Sequence, residues 1–160
     1  LYKTYLGPYS DELPSSALLF PLALREAGRP GHLVRSILSL NEAEGSMTFA
    51  GNMPEGSTVR LMKAHFDKLI AAAGTAAKNA TNTNIHNGQA LLALCVSCVG
   101  RKLMLQDRAE EEVQAVRQTL PPDAHTIGFY SYGELSPYRN TLACNLHNQT
   151  MTITLLSEAL

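Results

Sequence analysis

The pattern of hydrophobic and polar positions changes period along the chain. Leu1 to Leu6 reads as the end of a helix already under way, which Gly7-Pro8 stops. Strand-like segments follow. Ala17 to Leu24 is nearly all apolar, with Pro21 marking an edge or a bulge. His32 to Leu40 alternates. Ser46 to Gly51 carries Met47 and Phe49 on one face, and Thr58 to Lys63 sets Val59 and Leu61 opposite Arg60 and Met62. The intervening stretches 25–31, 41–45 and 52–56 are turn-rich. Such short connections favour antiparallel neighbours, so this half is expected to be an antiparallel meander.

From His65 to Ala80 the period becomes helical. Phe66, Leu69, Ile70, Ala73, Ala76, Ala77 and Ala80 recur three and four residues apart, and the Ala-rich later turns suit close packing on a sheet. Thr81 to Gly88 reads as an exposed loop. Gln89 to Val99 reads as a central strand buried on both faces. Asp107 and Glu110 have capping-box spacing for a second helix, with Val113, Val116 and Leu120 as its buried face and Pro121-Pro122 as its end. A further strand, His125 to Tyr132, completes a β-α-β crossover with a parallel pair. Leu142 to Leu156, rich in Thr, Ile and Leu, is expected as a last strand. The fold class is therefore α+β: a mixed sheet with two main helices packed on it. With no repeat or linker, residues 1–160 read as a single domain.

Two segments of this last region stand out, Gly128-Phe-Tyr-Ser-Tyr-Gly-Glu134 and Cys144-Asn-Leu-His-Asn-Gln-Thr-Met-Thr152. If residues 135–141 loop between antiparallel strands, alternation puts Tyr130, Tyr132, Glu134 and Cys144 on one face. Leu142, Cys144 and Leu146 are even-numbered, whereas Met151, Ile153 and Leu155 are odd-numbered. One apolar face cannot span that change without an extra residue, so a bulge is expected within 147–149. Tyr130, Tyr132, Glu134, His147, Asn148 and Gln149 are thus expected around one concave region. Arg101 could approach from a neighbouring strand end to hold an acid. Without any relative to compare, simple packing of the tyrosines and backbone satisfaction by Asn148 and Gln149 account for the same residues.

Composition narrows the function classes. The 13 Lys and Arg are scattered among 14 acidic residues, for a net charge of −1. Nucleic-acid binding and a polybasic membrane surface are not expected. The longest apolar run, Ala90 to Val99, is about half of a membrane span. Three cysteines, Cys95, Cys98 and Cys144, make no disulfide framework, and a reducing, cytoplasmic location is expected. Cys95-Val-Ser-Cys98 has redox or zinc spacing, but positions three apart on a strand point to opposite faces. Cys98, near the strand end, could still line a site. Cys144 with His147 invites a nucleophile and base reading, yet no nucleophile elbow follows, and a buried structural thiol accounts for it. His32, His65, His86 and His125 show no metal spacing.

The two signature segments, with Ser97-Cys98-Val99-Gly100-Arg101 and the opening Leu-Tyr-Lys-Thr-Tyr-Leu-Gly, resemble the C-terminal half of the FIST domain family, in order and over nearly the whole chain. The resemblance implies an intracellular sensory module binding a small amino-acid-like ligand, without a catalytic triad. It implies haem for some relatives, and an adaptor-type protein-interaction module for others. It also implies partners: the family's N-terminal half in the same chain, this sequence being expected to be a fragment of a longer protein without that half, and a fused or separate signalling output protein. A thiol-dependent enzyme is the remaining alternative.

Overall fold

The structure, a computed structural model, describes residues 1–25, 31–82, 91–137 and 143–157. The expected turn at 25–31 and the loops at 81–88 (with His86) and 135–141 fall largely outside the described residues. The fold is α+β, with antiparallel and mixed sheets. By contacts the chain forms two compact units, Leu1–Ala64 with Leu146–Asn148, and His65–Asn145 with Gln149–Leu160.

In the first unit, helix α1 (Tyr2–Leu6) ends at Gly7, whose φ of 58° suits glycine. Ala17 to Leu24 does not form one strand. Ser15–Leu19 is a 3-10 turn following Pro14, and strand β1 (Leu22–Arg25) begins only after Pro21, which has no N–H for a ladder. The expected strand His32 to Leu40 is also divided, into β2 (Leu33–Arg35) and β3 (Ile37–Asn41). The chain changes partner at Ser36. Its N–H donates to Asn148 Oδ1 at 3.2 Å and its carbonyl accepts from Ala50 at 2.9 Å. Strands β4 (Ser46–Phe49) and β5 (Thr58–Leu61) complete this half. The pairings among these strands are antiparallel: β3 with β4 as a hairpin, and β1 between β2 and β5. The strand order therefore departs from simple succession, since β5 returns to β1. Leu6, Ala17, Phe20, Leu22, Leu24 and Ile37 are buried there.

The second unit is built on the sheet β10-β6-β7, formed by β6 (Leu91–Cys98), β7 (His125–Ser131) and β10 (Met151–Ser157). β10 pairs antiparallel with β6, and β7 pairs parallel to it, as a crossover requires. Helices α2 (Phe66–Thr81) and α4 (Ala109–Thr119) cover one face. Ala73, Ala77, Ala93, Val116 and Leu120 make the core, with Cys95, Met151, Ile153 and Leu155 packed on it. The alanines of α2 let its backbone approach closely, so Ala73 and Ala77 are fully buried.

Three features differ from expectation. Helix α3 (Val99–Leu105) follows β6 directly and ends at Gln106, with φ 49°. Asp107 does not cap α4. Arg108 occupies that position and bonds Glu111 and, on α2, Asp67. The carboxyls of Asp67 and Glu111 are held below the usual range by this guanidinium. Glu110, Glu111 and Glu112 fill the first turn of α4, where negative charge suits the helix dipole. Finally, Leu142 to Leu156 is not one bulged strand. The described part is β9 (Cys144–His147) and β10, separated at Asn148 to Thr150, where Gln149 has a φ of 56°. β9 pairs with β8 (Glu134–Pro137), so β7 and this region do not form the expected hairpin.

Candidate functional site

The second unit contains a cavity of about 520 Å³ between α4 and β7. Its walls include Val113, Val116, Ala124, Ile127, Phe129 and Met151, and its polar groups are Ser97, Glu112, Arg117, His125, Thr126 and Tyr130. The register explains these contributions. Ala93, Cys95 and Ser97 share the helix-facing side of β6, so the serine hydroxyl is carried on the same face as the core. Glu112, Val116 and Leu120 lie four residues apart, which places them on one face of the α4 region. Glu112 is fully buried, while Val113, expected in the core, is 43% exposed. The inward position is taken by a carboxylate because a cation is there to meet it.

That cation is Arg101, 1% exposed. Its Nε donates to Glu112 Oε2 at 2.8 Å and its Nη2 to the Leu69 carbonyl at 2.7 Å. Nη1 donates to the Gln149 carbonyl at 3.4 Å. The other carboxylate oxygen, Oε1, accepts from Ser97 Oγ at 3.0 Å and from the Tyr130 hydroxyl at 3.4 Å. Burial pushes the Tyr130 pKa up, and the Glu112 charge adds to this. Lys102 Nζ stands 5.1 Å over the Tyr130 ring. One end of the cavity therefore presents two hydroxyls on a carboxylate already neutralised by arginine. Arg117, exposed, lies on the wall farther along α4.

The residues expected to form a site are distributed as follows. Tyr130 is on the cavity wall, and Arg101 stands behind Glu112, with its guanidinium committed to protein acceptors. Glu134 is buried in the second unit, where Oε1 accepts from Ser131 Oγ at 2.7 Å and Oε2 from Thr150 Oγ1 at 2.9 Å. It ties the end of β7 to the start of β10. Gln149, also buried there, offers its carbonyl to Arg101. Tyr132 is 90% exposed, because β7 ends at Ser131 and the alternation does not continue through the bend. Cys144 is exposed. His147 and Asn148 are buried in the first unit, where Asn148 binds Ser36. Ser97, Glu112, Arg117 and Met151, on the cavity wall, were not among the residues expected from the sequence to form a site. The spacing of Glu112 with Val116 and Leu120 was the available signal.

All three cysteines are free thiols. Cys95 packs on the core and Cys98 is buried at the strand end, on opposite faces of β6. Burial pushes both thiols up, and the Glu134 charge adds to the effect at Cys98. Timed labelling of native protein near neutral pH should modify Cys144 first, the half-buried Cys95 on the cavity wall more slowly, and the buried Cys98 only on unfolding. Equal rates at all three would contradict this burial. Among the described residues no group of three or more His, Cys, Asp or Glu is placed to hold a metal, and no helix is long and apolar enough to cross a membrane.

No curated protein and no solved structure matches the chain. A family profile does, that of the FIST C domain, over residues 1–137. The match includes β6, α4 and β7, which build the cavity, and stops short of Cys144 to Thr152. A match of this extent makes the chain a member of the FIST C domain family, which is associated with sensing in signal transduction.

Proposed function

We propose that this chain is a sensory domain that binds a small, polar, amino-acid-like ligand in the cavity between α4 and β7, and that it is not an enzyme. The observation that carries this reading is the cavity itself. Its volume lies in the range of small-molecule sites, and its apolar walls lead to a convergent polar end at Ser97, Glu112 and Tyr130. Hydroxyls donate and accept, which suits a ligand carrying both kinds of group. The non-enzymatic reading is supported by the ion pairing of Glu112 and by the raised pKa of Cys95, the thiol on the wall. Neither is poised as a base or nucleophile. The donor set suits haem poorly, since His125 on the wall is exposed and the thiol there favours its protonated form. The N-terminal half of the family and a signalling output protein remain the partners this reading implies.

An adaptor-type reading has one observation in its favour: Ile127 and Phe129 are each 59% exposed on β7. A thermal-shift screen separates the two. Free amino acids at about a hundred times their Kd should stabilise the chain by roughly 2.7 kcal/mol, and hemin should not. Tyr130→Phe should change the melting of the unliganded chain little, because its hydrogen bond is long at 3.4 Å, while weakening the ligand's effect. Absence of a shift with every amino acid tested would count against a free amino acid as the ligand.

A further inference from the structure

Neighbouring residues of a strand point to opposite faces, so a pocket on one face of a sheet touches every second residue. This cavity touches His125, Thr126, Ile127, Gly128, Phe129 and Tyr130 without a gap. It therefore wraps the outer edge of β7. β7 pairs with β6 on its inner side and is the last strand of its sheet among the described residues. The free edge of a strand presents a row of backbone N–H and C=O groups. Here that row faces the wall made by α4, in a groove between an edge strand and a helix.

Charge makes the groove asymmetric. At the Tyr130 end, Glu112 is neutralised by Arg101 and bonded to two hydroxyls. At the other end, where the turn from Leu120 to Ala124 returns the chain from α4 to β7, Arg117 lies on the wall. Arg117 has no ion pair among the described residues and is exposed. Guanidinium groups bind carboxylates with directional paired hydrogen bonds.

We infer that the occupant is a short peptide in extended conformation, added as a strand to the free edge of β7, with a carboxylate on Arg117. This rests on the cavity being the ligand site, and it narrows the ligand from amino-acid-like compounds in general to peptides. Backbone pairing along β7 supplies affinity, the apolar walls take alternate side chains, and Arg117 selects for an acid. Seven residues of β7, at about 3.3 Å each, give an edge roughly 23 Å long, ample for a tetrapeptide.

The test uses the full chain and the probe acetyl-Glu-Val-Thr-Val-amide, with free glutamate alongside. Two further probes carry N-methyl groups on alternate backbone amides, at odd or at even positions. The unmodified peptide should bind more tightly than glutamate. Only one N-methyl parity should lose affinity, by about tenfold or more, because only alternate amides face β7. Arg117→Glu should weaken the peptide by a similar factor, and the probe with lysine in place of glutamate should then bind better than the original. If free glutamate binds as well as the peptide, or both N-methyl parities behave alike, the peptide inference falls and the small-ligand reading stands. If neither peptides nor amino acids bind, both fall. Self-association abolished by Arg117→Glu, without peptide binding, would identify a second copy of the chain as the occupant and overturn the proposal.

Discussion

Glu112→Ala should destabilise the second unit by about 3–5 kcal/mol, the largest effect expected of any single side chain here. The cost does not come from losing a favourable ion pair. It comes from leaving the Arg101 guanidinium, 1% exposed, with a positive charge and no counter-ion in a place water does not reach. Ser97 Oγ and the Tyr130 hydroxyl also lose their shared acceptor. Glu112→Gln keeps an acceptor for these donors and should cost less. The double variant Arg101→Met with Glu112→Leu removes both charges and refills the volume. It should recover most of the loss, since apolar replacement of a buried pair is often neutral or better. Urea unfolding of the parent, Arg101→Met alone, Glu112→Leu alone and the double variant measures the coupling directly. A Glu112→Ala variant within about 1 kcal/mol of the parent would mean that the site is wetter than its burial indicates.

This ion pair also shows where sequence reading stops. The helical period of α2 and the parallel pairing of β6 with β7 follow from apolar spacing and crossover geometry, and the structure has both. The parity change between Leu146 and Met151 pointed to an irregularity at 147–149, and Gln149 does adopt a positive φ there. Its extent was not legible, because parity does not distinguish a bulge from a strand that ends and restarts elsewhere. Glu112 was missed because a carboxylate beside Val113 is ordinarily read as the solvated position. Only a partner eleven residues earlier, on a helix that the sequence did not reveal, reverses that choice. The same limit applies at Ser36, whose role depends on an asparagine 112 residues away. The strand position of Tyr130 was legible, and the structure sets it on the cavity wall, whereas the face assigned to Tyr132 was not, since the alternation ends one residue earlier.

Gly128→Ala should be the second most damaging change, although it adds a single methyl group. Gly128 lies in register with Cys95 of the central strand. A Cβ at Gly128 would come within 2.3 Å of the Cys95 carbonyl oxygen and 3.1 Å of its Cβ. The obstructing oxygen belongs to backbone, so no rotamer change relieves it. Either β7 moves outward and strains its ladder with β6, or β6 shifts against the core alanines. Overpacking of this kind costs about 1–3 kcal/mol and sometimes more. Gly74→Ala is the matched control. It adds the same methyl in the middle of α2, where the nearest atoms, the Ala115 carbonyl oxygen and Thr119 Oγ1, stand at 3.4 Å. Alanine is favoured over glycine in a helix interior by up to about 1 kcal/mol, so Gly74→Ala should leave melting level or raise it. Because Gly128 and Cys95 both line the cavity, the outward movement of β7 should also weaken any ligand held there by more than the loss of global stability explains. Thermal unfolding of the two variants, with hydrogen exchange at the β6 and β7 amides, checks both parts. Equal melting for Gly128→Ala and Gly74→Ala would show that β7 can relax at no cost, and that the close approach at Gly128 does not hold this edge in place.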